Sequence, residues 1–126
     1  MRAVDTNLLV RLITRDDPGQ TASAEAFVKA GAWVSILALA ETIWVLETAY
    51  GFRPGELGTS VAMLLNHESL VVQDSDVVAA ALQIFQLRPA LEFSDCLILE
   101  IARKAGYLPL GTFDRRLGRV QGTQKV

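Results

Sequence analysis

Met1-Arg2-Ala3-Val4-Asp5-Thr6-Asn7-Leu8-Leu9-Val10-Arg11-Leu12 opens the chain, and its reading decides the fold. Ala3-Val4 begins a short apolar strand, with Asp5 at its carboxyl end. Asn7 is placed to cap a helix over 8–14, its side-chain oxygen taking one of the helix's orphan N–H groups. In open α/β sheets ligands bind in the crevice beyond the carboxyl ends of the strands. An acid at that point is therefore a candidate ligand for a cation. The same two residues also read simply as formers of a strand-to-helix turn.

The alternation continues along the chain. Pro18 stands near a helix start, and residues 21–30 read as a helix with Ala22, Ala26, Phe27 and Ala30 on one side. Trp33-Val34-Ser35 is a second strand, and Ser35 can cap a helix running from 37 to about 50. A further helix spans 56–66, and Leu70-Val71-Val72 is a third strand. Residues 74–87 form a helix whose stripe is Val77, Val78, Ala81, Leu82 and Phe85. Glu92-Phe93-Ser94-Asp95 opens a helix that Gly106 closes. Residues 108–112 make a fourth strand, 115–119 a short basic helix, and 120–126 hold a possible edge strand. Strands alternating with helices imply an α/β domain, a parallel sheet covered by helices on both faces, over residues 1–126.

The helix after Ser35 is apolar nearly all round, from Ile36 and Leu37 to Val45 and Leu46, which predicts burial on most faces. Glu41 stands in its midst. An ionised carboxylate in such surroundings is costly unless paired or bound to a cation. Trp33 and Trp44, among apolar neighbours, read most simply as core.

Composition narrows the function. With 51% hydrophobic residues in 126, the chain can build a genuine core. No apolar run reaches the ~18 residues of a membrane helix, and no signal-peptide pattern opens the chain. The single cysteine, Cys96, leaves no internal disulfide and fits a reducing, cytoplasmic compartment. Charge is unevenly spread: residues 103–126 carry six basic groups and one acid, a net +5 that leaves −7 on the rest. That asymmetry fits an acidic site beside a basic surface, or a tail that maintains solubility.

Four acids occupy comparable places: Asp5 and Asp114 after strands, Asp95 at a helix start, Glu41 within a helix. If they share one crevice, like charges raise one another's pKa, and a hard divalent cation with oxygen ligands relieves the conflict. A water polarised by such a metal can attack a phosphorus centre. Arg115, Arg116 and Arg119 lie beside Asp114 and are candidates for holding phosphates.

Four pieces, in this order, resemble the PIN domain family, and within it the VapC-type toxins of toxin–antitoxin pairs. They are Val4-Asp5-Thr6-Asn7, Ala40-Glu41, Phe93-Ser94-Asp95-Cys96-Leu97-Ile98 and Gly111-Thr112-Phe113-Asp114. The resemblance implies a PIN-like three-layer α/β/α fold with a central parallel sheet of four or five strands. It also implies a Mg²⁺- or Mn²⁺-dependent endoribonuclease, homodimeric, with a small VapB-like antitoxin as partner. Asp5 and Asp95 then match direct metal ligands. Glu41 matches a ligand through water or to a second metal, and Asp114 the fourth acid. Asn7 and Thr112 match positions that orient the acids. Glu92 falls where many relatives carry Asp, and its longer side chain leaves it outside the set.

Other chemistries lack parts. A haloacid-dehalogenase-type phosphohydrolase needs a second Asp two residues after the first, and Asn7 stands there. A receiver-like phosphoacceptor domain needs paired acids after the first strand. A non-catalytic PIN-like module that only binds a partner has no need of all four acids. The only histidine, His67, lies outside every acid-bearing segment and reads as a helix-end residue.

Overall fold

The computed structural model describes residues Met1–Val126 as two compact units, Met1–Ser75 and Asp76–Val126. The secondary structure is α/β: six α-helices and five strands, every strand pairing parallel. The strands divide into a three-stranded and a two-stranded sheet.

The N-terminal unit holds the sheet β1 (Arg2–Ala3), β2 (Ala32–Val34) and β3 (Leu70–Val72), in that order. Ala32 pairs with Leu70 and Val34 with Val72, and all four side chains are buried. The alternate row runs Ala3, Trp33, Val71 in register across the three strands and is exposed. The period-2 alternation of side chains accounts for the split. Between the strands run α1 (Thr6–Thr14), α2 (Pro18–Val28), α3 (Ile36–Thr48) and α4 (Pro54–Asn66). Helix α1 packs on α2 and α3, and α3 on α4. Leu9, Leu39, Leu46, Val61 and Leu64, wholly buried, form the core of these helices. No helix is long and apolar enough to cross a membrane.

Several local expectations change. Helix α1 begins at Thr6, so its cap is Asp5 rather than Asn7; Asp5 Oδ1 accepts the Leu8 N–H at 3.0 Å. The strand ends at Ala3, earlier than the apolar run implies, and the helix starts correspondingly early. Helix α2 begins at Pro18 under an Asp17 cap and buries Thr21, Ala24 and Val28. Ala22, Ala26 and Ala30 are exposed and Phe27 is half-buried. In α3 the Ser35 cap is present, its hydroxyl accepting the Ala38 N–H at 3.0 Å. The helix is not buried on most faces, however. Ala38, Leu39, Thr42, Ile43 and Leu46 face inward, whereas Leu37 and Trp44 are 69% and 63% exposed. Trp33, at 38%, is not a core residue either.

The C-terminal unit contains α5 (Ser75–Leu87), α6 (Phe93–Ala105), β4 (Leu110–Thr112) and β5 (Thr123–Lys125), with a 3-10 helix at Leu117–Arg119. The whole expected stripe of α5 is buried. Phe85 and Phe93 meet edge to face with centroids 5.6 Å apart, and Lys104 pairs with Asp76 at 3.2 Å. Gly106 ends α6 in the left-handed region at φ 86°, where glycine is favoured. Buried Glu100 is matched by Arg103 at 2.9 Å. The fourth strand is shorter than expected, and only Leu117–Arg119 of the expected basic helix forms a helical turn. His67 caps the end of α4, its Nδ1 accepting the Ser69 N–H.

Candidate active site

In the N-terminal unit, the carboxyl end of β1 runs through buried Val4 to Asp5. Val4 is held by its N–H donating to the Trp33 carbonyl at 3.1 Å, so Asp5 starts from a fixed point on the sheet edge. One carboxylate oxygen caps α1; the side chain is exposed and joins no ion pair. On the same edge, Gln73 Oε1 accepts the Ile36 N–H at 2.9 Å and so ties the start of α3 to the end of β3. Glu41 lies on α3, which packs against α1. It is exposed, between Leu37 and Trp44 on the outward face, rather than enclosed by the apolar helix. The carboxylate forms neither an ion pair nor a side-chain hydrogen bond. The burial argument for its presence therefore falls away. Asn7 lies in the first turn of α1 with an exposed side chain.

In the C-terminal unit, Asp95 occupies the first turn of α6, where a negative charge complements the helix dipole. It is half-buried. Burial first, then the charges of Asp114 and Glu92, push its carboxyl above the usual carboxylate range. Asp114 follows β4 as Asp5 follows β1. Thr112 Oγ1 accepts the Asp114 N–H at 3.0 Å, and Asp114 Oδ1 accepts the Leu117 N–H at 2.8 Å. Thr112 therefore orients the Asp114 backbone, and Asp114 caps the turn that follows. Asp114 also lines a recess of about 330 Å³ together with Glu92, Arg115 and Arg116.

Glu92, left outside the set because of its length, stands near enough to Asp95 for its charge to act on that carboxyl. The signal was the spacing Glu92-Phe93-Ser94-Asp95: as the residue before α6, Glu92 sits one turn from Asp95. Arg115, Arg116 and Arg119 are exposed and unpaired. Arg88, at the end of α5, stands with Arg116 and Arg119 around an adjoining recess, and no motif pointed to it. Cys96 is fully buried, and burial raises its thiol to about 11, so it belongs to the core and not to the chemistry.

The donor chemistry of these carboxylates is that of a hard divalent cation, since oxygen donors are what Mg²⁺ and Mn²⁺ take. The mutual repulsion that raises Asp95 is of the kind a cation relieves. No group of three or more acid, histidine or cysteine side chains clusters closely enough to hold a metal ion.

No curated protein matches the chain. The family description "PIN domain" matches residues 2–122, nearly the full length. PIN domains are generally metal-dependent nucleases and typically use divalent ions. With its α/β topology, its parallel strands and a match of that extent, the chain belongs to the PIN domain family.

Proposed function

We propose that this PIN domain is an endoribonuclease of the VapC type, the toxin of a type II toxin–antitoxin pair acting in the cytoplasm. Residues 1–126 act as one catalytic domain whose working residues are Asp5, Glu41, Asp95 and Asp114. These four carboxylates would hold Mg²⁺ or Mn²⁺, which when bound supplies a polarised water and a counter-charge for the phosphate. The observation that carries the reading is the recess that places the carboxylates of Glu92 and Asp114 beside Arg115 and Arg116.

The chain's own residues divide the work. Asp95, in the first turn of α6, would be a direct ligand of that ion. Asp114 is held rigidly by the Thr112 and Leu117 bonds, so its free oxygen points from a fixed turn. Asp5 has the same design, one oxygen capping α1 and the other free. Asn7, two residues after Asp5 in the first turn of α1, would serve as a supporting polar group. Arg115, Arg116 and Arg119 would draw the RNA backbone to the acids. A homodimer and a VapB-like antitoxin complete the assembly. The outward face of α3, with Leu37 and Trp44 flanking Glu41, is an apolar surface on which such an antitoxin can seat.

A non-catalytic, partner-binding PIN module is the second reading. It is favoured by the capping roles of Asp5 and Asp114, which give both acids a structural use. One experiment separates the two: incubate the purified protein with end-labelled RNA and Mn²⁺ or EDTA, with a phosphomonoester as control substrate. Metal-dependent cleavage of RNA alone is expected. No cleavage with either metal leaves the binding module. Release of phosphate from the monoester points instead to a phosphohydrolase.

A further inference from the structure

Two recesses adjoin in the C-terminal unit. The first, about 330 Å³, contains Asp114 and Glu92. The second, about 270 Å³, is lined by Arg88, Arg116 and Arg119 over a floor of Ala90 and Leu91. Arg116, Ala90 and Leu91 border both, so the two form one path from the acids to the arginines. No carboxylate lines the second recess. None of its three guanidinium groups joins an ion pair or donates a side-chain hydrogen bond.

The backbone beneath these side chains is fixed. The Arg88 N–H donates to the Ile84 carbonyl at 2.9 Å, and the Leu91 N–H to the Arg88 carbonyl at 3.0 Å. The Arg119 N–H donates to the Arg116 carbonyl at 3.2 Å. Leu91 and Leu117, both buried, anchor the two turns. Three like charges held around one small hollow repel one another, and a polyanion relieves the repulsion. A guanidinium is a planar fork that matches two phosphate oxygens at once, which a lysine ammonium cannot do.

We propose that the Arg88–Arg116–Arg119 recess binds a phosphodiester of the RNA strand neighbouring the one cut at the acids, and that Arg88 is a phosphate-binding residue. The proposal rests on the nuclease reading above and extends it to the length of strand the protein grips. An acidic protein segment is the competing occupant. RNA is favoured because the recess opens directly onto the acid-bearing one, where a continuing strand would lie.

The test measures binding of a labelled single-stranded RNA oligonucleotide by fluorescence anisotropy in EDTA, over a series of salt concentrations. It compares wild type, Arg88→Ala, Arg88→Lys and, as a control cation in the N-terminal unit, Lys29→Ala. One phosphate contact fewer lowers the slope of log K against log salt by about 0.7 for a single strand. Arg88→Ala is expected to show that loss with an unchanged melting temperature. Arg88→Lys keeps the slope but binds more weakly, and Lys29→Ala matches wild type. A wild-type slope in Arg88→Ala overturns the proposal. So does Arg88-dependent binding of a glutamate-rich peptide without Arg88-dependent binding of RNA. If wild type cleaves RNA with Mn²⁺ while Arg88→Ala keeps its slope, only this inference falls. If wild type cleaves nothing, the nuclease reading falls with it.

Discussion

The Asp95 carboxyl lies above the ordinary carboxylate range because it is half-buried and because Asp114, then Glu92, set their charges against it. An acid whose folded pKa is raised contributes stability that is present below its unfolded value, about 3.9. That contribution is lost as pH rises through the folded value. Without metal, Asp95→Asn should therefore raise the melting temperature relative to wild type more at pH 7.5 than at pH 4. The comparison is made in EDTA by differential scanning calorimetry. An equal difference at both pH values contradicts the coupling.

Asp5 caps α1 and, in the proposed function, also serves the metal, and substitution can separate the two. Asparagine caps a helix about as well as aspartate, whereas alanine at a cap costs about 1 kcal/mol. Asp5→Asn should keep wild-type stability and lose RNA cleavage. Asp5→Ala should lose cleavage and about 1 kcal/mol of unfolding free energy. Urea titration and the cleavage assay read the two effects. Full cleavage by Asp5→Asn removes Asp5 from the chemistry and leaves it a cap.

Cys96 neighbours Asp95 but is sealed in the core, with its thiol raised to about 11. At pH 8 only about one thiol in 10³ is then ionised, and the thiolate is the reactive form. Native protein should resist iodoacetamide at pH 8, and urea-unfolded protein should be labelled promptly. Labelling of the native form at the unfolded rate contradicts the burial.

Sequence periodicity reads well where one face of an element is apolar and the other is not. Val77, Val78, Ala81, Leu82 and Phe85 are all buried as their spacing predicts. It fails in α3, where apolar residues cover every face: the pattern cannot say which face meets the core, and Leu37, Trp44 and Glu41 turn outward. Asp5 and Asn7 are equally good caps, and only the early end of β1 selects Asp5. Among the site residues, Asp95 and Asp114 stand out from their places beside a helix start and a strand end. Glu92 is marked by its spacing from Asp95, but Arg88 is not, because its place depends on how the 88–91 turn lies against the 116–119 turn. That is a long-range relation which no local pattern encodes.

The proposed function rests on Asp5, Glu41, Asp95 and Asp114 as the carboxylates that hold the divalent cation. Binding of Mn²⁺, followed by electron paramagnetic resonance, tests it without relying on activity. Wild type, Asp5→Asn, Glu41→Gln, Asp95→Asn and Asp114→Asn are titrated in parallel. Each substitution is expected to weaken Mn²⁺ binding, by about tenfold or more for Asp5 and Asp95 as direct ligands. Wild-type Mn²⁺ affinity in both Asp5→Asn and Glu41→Gln would contradict a metal-binding role for these two acids.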